Sequence, residues 1–150
     1  MQAKMKADML DMNTLSAEGA SRALGRLSHV CNRLAGRAGW WKEYKQVKEL
    51  DISDTLKEIL LKHIESSKIA LIHSEISETL EGLRKDLPDD KLPHRSMEEV
   101  ELADTLIRIF DYSGEKNLDL GGALIEKLMY NINRADHQPD NRDAKGGKKI

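Results

Sequence analysis

Across residues 52–83 the apolar side chains return at helical spacing, first as Ile52, Leu56, Ile59, Leu60 and Ile64, then as Ile69, Ile72, Ile76, Leu80 and Leu83. A strand alternates its faces every second residue and cannot bury such a pattern, so the centre of the chain is committed to helix. Asp51 or Ser53 is placed to cap it, because short polar side chains there can accept from the first free N–H groups. Ser66-Ser67 either bends one helix or separates two. The same period runs through Leu24, Leu27, Val30, Cys31 and Leu34 within residues 17–35, and Gly36 and Gly39 stop it. The following GRAGWWKEYKQVKEL reads as a connection. RKDLPDDKLPHR, residues 84–95, reads as a polar loop held by Pro88 and Pro93. Ser96-Met97-Glu98-Glu99 is a capping box. It opens a helix carrying Val100, Leu102, Ala103, Leu106, Ile107, Ile109 and Phe110, which ends near Gly114. Asp119 can cap a last helix, with Leu124, Leu128, Ile132 and Ala135 along one side.

These elements predict an all-α fold, a bundle of four to five helices joined by short connections. With 150 residues, a single core is the expected scale. Three prolines, one phenylalanine and few β-branched runs agree with helix. A net charge of −2 gives no general reason to bind a nucleic-acid polymer or a membrane. The longest apolar run, residues 69–72, is far too short for a membrane span, and MQAKMKADMLDMN has no apolar segment of a secretory signal. A cytoplasmic location is the expectation that remains. The one cysteine, Cys31, allows neither an internal disulfide nor a cysteine-based zinc cluster.

The unusual feature is where the acids fall. Helical geometry turns about 100° per residue, which puts Glu75 and Glu78 at the border of the apolar stripe and not opposite it. In ELADTLIRIFD, Glu101 and Asp104 repeat that spacing beside Leu102, Leu106 and Ile109, and Asp111 falls near the same edge. If the two helices pack antiparallel through their stripes, two carboxylate pairs face each other. Four carboxylates in a partly desolvated place do not all stay ionised unaided. A divalent cation resolves the conflict, and magnesium favours such oxygen ligands. Either pair alone would be ordinary for a solvated helix face; the matching edges on consecutive helices favour a site.

ExxE followed by ExxD on the next helix resembles the all-α nucleoside triphosphate pyrophosphohydrolases, which include MazG-like proteins, dimeric dUTPases and phosphoribosyl-ATP pyrophosphohydrolase. The segments IHSEISETLEGLRK, LPHRSMEEVELADTLIRIFDYSG and LDLGGALIEKLMYNINRADH look MazG-like in particular, and cover about residues 66–137. The resemblance implies hydrolysis of an NTP or dNTP between the α and β phosphates, to a monophosphate and pyrophosphate. It implies magnesium, with manganese able to substitute, held by Glu75, Glu78, Glu101 and Asp104. It favours a purine dNTP such as dGTP or dATP, and a homodimer or homotetramer. The chain departs from the family's EExxE at Ser74, so water activation falls to Glu75, Glu78 or the metal. Domain limits follow: a helical extension over residues 1–38, the catalytic core over 39–137 and a basic tail over 138–150. The alternatives are a related reaction on dUTP or phosphoribosyl-ATP, or a non-catalytic helical interaction protein.

Lys127, Asn131 and Arg134 lie at i, i+4 and i+7, so one helix face can present all three to a triphosphate, as the resemblance also implies. The plain alternative is a solvated last turn, with Arg134 complementing the helix C-terminus. Asp136, Lys145 and Lys148 have weaker cases beside them. Of Trp40 and Trp41, one can stack on a base while the other plugs the core. His73 is not expected to bind metal, and His94 has a weak case for touching substrate. Arg108 shares the edge of Glu101 and Asp104 and is expected to pair with an acid.

Overall fold

The computed structural model describes residues 16–132 and Arg134. Among them are five α-helices and no strand: α1 (Ala17–Arg37), α2 (Lys42–Glu49), α3 (Asp54–Lys85), α4 (Met97–Glu115) and α5 (Leu120–Ile132). The described chain is all-α, with one isolated bridge between Pro88 and Ser96. It forms two compact units. One runs from Arg26 to Leu118; the other takes the described residues up to Gly25 and from Asp119 onward.

Helix α3 passes through Ser66-Ser67 without a break. Each hydroxyl donates to a carbonyl one turn back, Ser66 to Lys62 at 2.8 Å and Ser67 to His63 at 3.0 Å, so the pair is satisfied inside the helix. Ser53 caps its start by accepting from the Leu56 N–H. The segment after Gly39 corrects the sequence reading. GRAGWWKEYKQVKEL is not a plain connection, because residues 42–49 of it form α2. Charged residues fill most of that turn, and the helix is held by the buried rings of Trp41 and Tyr44, three residues apart and packed edge to face at 5.3 Å.

Helices α3 and α4 make the main pairing of the larger unit. They run antiparallel: a Cβ on Gly82 would lie 2.9 Å from Met97, Arg108 bonds Glu75, and Lys116 bonds Glu65. The connection between them turns at Asp86, whose φ of 50° is left-handed. Asp89 is buried and accepts from the N–H groups of Lys91 and Leu92, which fixes the loop. Ser96 then accepts from the Glu99 N–H and starts α4, as the capping box requires.

The face that α3 turns to α4 is the second correction. The apolar stripe is not the buried one: Ile76, Leu80 and Leu83 are 46%, 56% and 59% exposed, and Leu102 and Leu106 of α4 are also exposed. Buried in their place are Glu75 and Gly82 of α3, with Glu101 and Thr105 of α4. The helices meet through acids and small residues beside the stripe.

The C-terminal half of α1 packs on α4. Gly114 permits this, since a Cβ there would meet the Asn32 Cβ at 2.6 Å and the Ser28 carbonyl at 2.7 Å. Asn32 donates to Asp111 at 3.1 Å and to Glu115 at 3.2 Å. In the smaller unit Asp119 accepts from the Gly122 N–H at 2.9 Å and caps α5.

Candidate metal and nucleotide site

Glu75 and Glu101 come from facing helices, and both are at least nine-tenths buried. One carboxylate oxygen from each, with one from exposed Glu78, lie within 4.8 Å of one another. Asp104 is outside that trio but beside it; it lines a cleft of about 680 Å³ with Glu78, Glu101 and the 87–92 loop. The four acids named from the sequence therefore lie along the α3–α4 seam, between the Gly82–Met97 contact and the Glu65–Lys116 bond.

Electrostatics register the crowding. Burial, hydrogen bonding to Glu75 and the charges of Glu78, Glu75 and Asp104 push Glu101 up to about 7. Burial and the charge of Glu75 also raise Asp104, while Arg108 opposes the rise. Arg108 Nε donates to Glu75 at 2.5 Å, as the shared edge predicts. A single paired cation does not balance four carboxylates, so the cluster retains an excess of negative charge. Three hard oxygen donors converging from rigid helices fit a divalent ion of the magnesium type, which binds carboxylate oxygen and keeps waters or phosphates in its remaining positions.

Ser74 does not join this cluster. Its hydroxyl donates to the Leu71 carbonyl of its own helix at 2.8 Å. His73 and His94 are exposed.

A second cavity, of about 430 Å³, also has Asp104 in its wall. Its walls include Leu34, Ala35, Trp40, Leu71 and Ile107, and Lys68 and Arg108 bring positive charge to it. Trp40 is 54% exposed and lies below both cations, Lys68 Nζ at 5.5 Å and Arg108 Cζ at 5.7 Å from its ring centre. Trp41 is different: it is 1% exposed, and its indole N–H donates to Asp111 at 2.7 Å. The two adjacent tryptophans thus divide into one cavity wall and one core plug. Lys68 is a cation that the sequence reading passed over; its one signal was its place seven residues, two helical turns, before Glu75.

Beside Trp41 is a separate polar network. Lys116 donates to Glu65 and to Tyr44, and Tyr44 donates to Glu65 at 2.8 Å. Burial alone would raise Glu65, but these bonds outweigh it and hold the carboxyl below its usual range.

Lys127, Asn131 and Arg134 belong to the smaller unit. Lys127 is exposed, its Nζ 4.6 Å from the Tyr130 ring centre. Asn131 Oδ1 is buried without a hydrogen-bond partner among the described residues, and the Arg134 N–H donates to the Asn131 carbonyl. Asp136, Lys145, Lys148 and the tail over residues 138–150 lie outside the described residues, as do residues 1–15 of the expected N-terminal extension.

Comparison of the chain with protein-family models, with curated proteins and with solved structures finds no match in any of the three.

Proposed function

We propose that this protein is a magnesium-dependent nucleoside triphosphate pyrophosphohydrolase of the MazG-like all-α kind, acting on a dNTP. The observation that carries the reading is the burial of Glu75 and Glu101 against each other, with Glu78 at their edge. Burying two carboxylates together is costly unless something neutralises them. One ion pair, Arg108 with Glu75, leaves Glu78, Glu101 and Asp104 without an ion-pair partner among the described residues. Such an arrangement destabilises the fold by itself and fits a cation site.

Glu75, Glu78 and Glu101 would hold the ion, with Asp104 joining from the same helix face. Magnesium bound there would offset triphosphate charge, polarise the α-phosphorus and acidify a water. Glu78, the exposed member of the trio, would take a proton from the attacking water. Glu101, held near neutrality, would give up its proton when the site fills. Trp40 would stack on the base inside the cavity beside Asp104, where Leu34, Leu71 and Ile107 give apolar walls and Lys68 adds positive charge. Water attacks the α-phosphorus, the bond from that phosphorus to the α–β bridging oxygen breaks, and pyrophosphate leaves. Catalysis is positioning and charge stabilisation, with no protein nucleophile.

A second reading is favoured by one observation. Ile69, Ile76, Leu80 and Leu83 of α3 and Leu102, Leu106 and Ile107 of α4 are all exposed. A run of that kind suits a helical partner. A second copy of the chain is the occupant that also agrees with the enzymatic reading, as a homodimer or a dimer of dimers. A non-catalytic interaction protein is the occupant that does not.

Incubation with each NTP and dNTP plus magnesium separates these readings. Monophosphate and pyrophosphate are expected. Glu78→Gln and Asp104→Asn should each lower kcat at least about 100-fold while far-UV circular dichroism stays helical. Near-normal turnover in either variant would misplace the metal site, and no turnover of any nucleotide would leave the interaction protein ahead.

A further inference from the structure

Arg108 stands between the two halves of the site. Its Nε donates to Glu75, and Glu75 is also one of the three residues whose oxygens converge. Its guanidinium carbon is 5.7 Å from the Trp40 ring centre, and the side chain lines the cavity under that ring. Among the described residues the bond to Glu75 is the one hydrogen bond its side chain makes, so the terminal guanidinium nitrogens have donors to spare. Its side chain is 30% exposed, against 7% for Glu75, so the arginine can move while the carboxylate stays fixed by the helix seam.

A guanidinium and a divalent cation cannot both sit on one buried carboxylate without repelling each other. We infer that Arg108 is the exchangeable counter-ion of the acidic cluster: it holds Glu75 while no cation is bound, and a cation on Glu75 releases it to the phosphate groups of the nucleotide beside Trp40. This rests on the metal and nucleotide reading above and assigns Arg108 a role that reading leaves open. A planar fork with unused donors suits phosphate oxygens. The exchange gives the site an order, in which metal loading frees the group that grips the anion. Removing Arg108 takes away the competitor for Glu75 and the contact to phosphate together, so the metal alone should bind more tightly, the nucleotide more weakly, and the coupling between the two should shrink.

The test uses the full chain near pH 8 at low salt. Manganese alone is titrated by calorimetry or electron paramagnetic resonance, and then a dNTP analogue with an uncleavable α–β bridge is titrated in saturating manganese. Arg108→Gln should bind manganese about tenfold more tightly than wild type and the analogue about tenfold more weakly. Arg108→Lys keeps the charge and should keep manganese affinity close to wild type. Manganese should also raise the Tm of the glutamine variant more than that of wild type, which reads the same exchange even in a destabilised protein. If the glutamine variant does not fold, Arg108→Met, which keeps the stem against Trp40, takes its place. Equal or weaker manganese binding in Arg108→Gln, with clear binding in wild type, would overturn the exchange and leave the metal site standing. Tighter manganese binding with unchanged analogue affinity would overturn the transfer to phosphate. No manganese binding in wild type or variant would remove the metal reading and the exchange with it.

Discussion

Glu101 is the residue at which the cost of the site should be measurable. Its folded carboxyl titrates near 7 against an ordinary 4.5, so the folded state holds a proton that the unfolded state has released. Stability from that proton is fully present below about pH 4.5 and is lost as pH rises through 7. The metal-free protein should therefore lose roughly 1–3 kcal/mol between pH 5 and 8, read as a falling Tm. Magnesium at pH 8 should restore it. Glu101→Gln should raise the metal-free Tm at pH 8 and abolish the response to magnesium; a variant less stable than wild type there would contradict the electrostatic account. At Ser74 the expectation is the reverse. Its hydroxyl is tied to Leu71, so Ser74→Ala should leave kcat within about twofold. The spacing of Glu75, Glu78, Glu101 and Asp104 was legible in the sequence, because helical period fixes which residues share an edge. The burial of Glu75 and Glu101 was not, since hydropathy assigns acids to solvent unless a partner is known.

At the scale of elements, α3 and α4 were readable from period and caps, and α2 was not. Eight mostly charged residues after two glycines carry too little periodicity, and what forms the helix is tertiary: Trp41 and Tyr44 bury together inside the larger unit. The two tryptophans should then behave as opposites. Trp41→Ala should cost about 3–5 kcal/mol, as loss of a buried ring does. Trp40→Ala should cost little stability and raise KM for the nucleotide; denaturant melts and steady-state kinetics read both. The sequence places the end of α4 near Gly114, and the helix does end at Glu115; what the sequence does not tell is that the glycine serves the close approach of α1. Gly114→Ala should therefore destabilise by about 1–3 kcal/mol, since backbone of α1 must shift. A neutral or stabilising effect, as helix propensity alone would give, would contradict that packing.

At the scale of the whole molecule, the apolar stripe of α3 poses the same lesson in reverse. Its period is clear in the sequence, yet Leu80 and Leu83 remain over half exposed. Period tells which residues are apolar and not what covers them. Light scattering should find more than one copy in solution, and Leu80→Lys or Leu106→Lys should shift it toward monomer; a wild-type monomer would contradict self-association. The central claim is the bond that breaks. Hydrolysis of a dNTP in ¹⁸O-labelled water with magnesium, followed by mass spectrometry of both products, tests it most directly. Attack at the α-phosphorus predicts one labelled oxygen in the monophosphate and none in the pyrophosphate. Label in pyrophosphate or orthophosphate, or no turnover with any nucleotide, would contradict it.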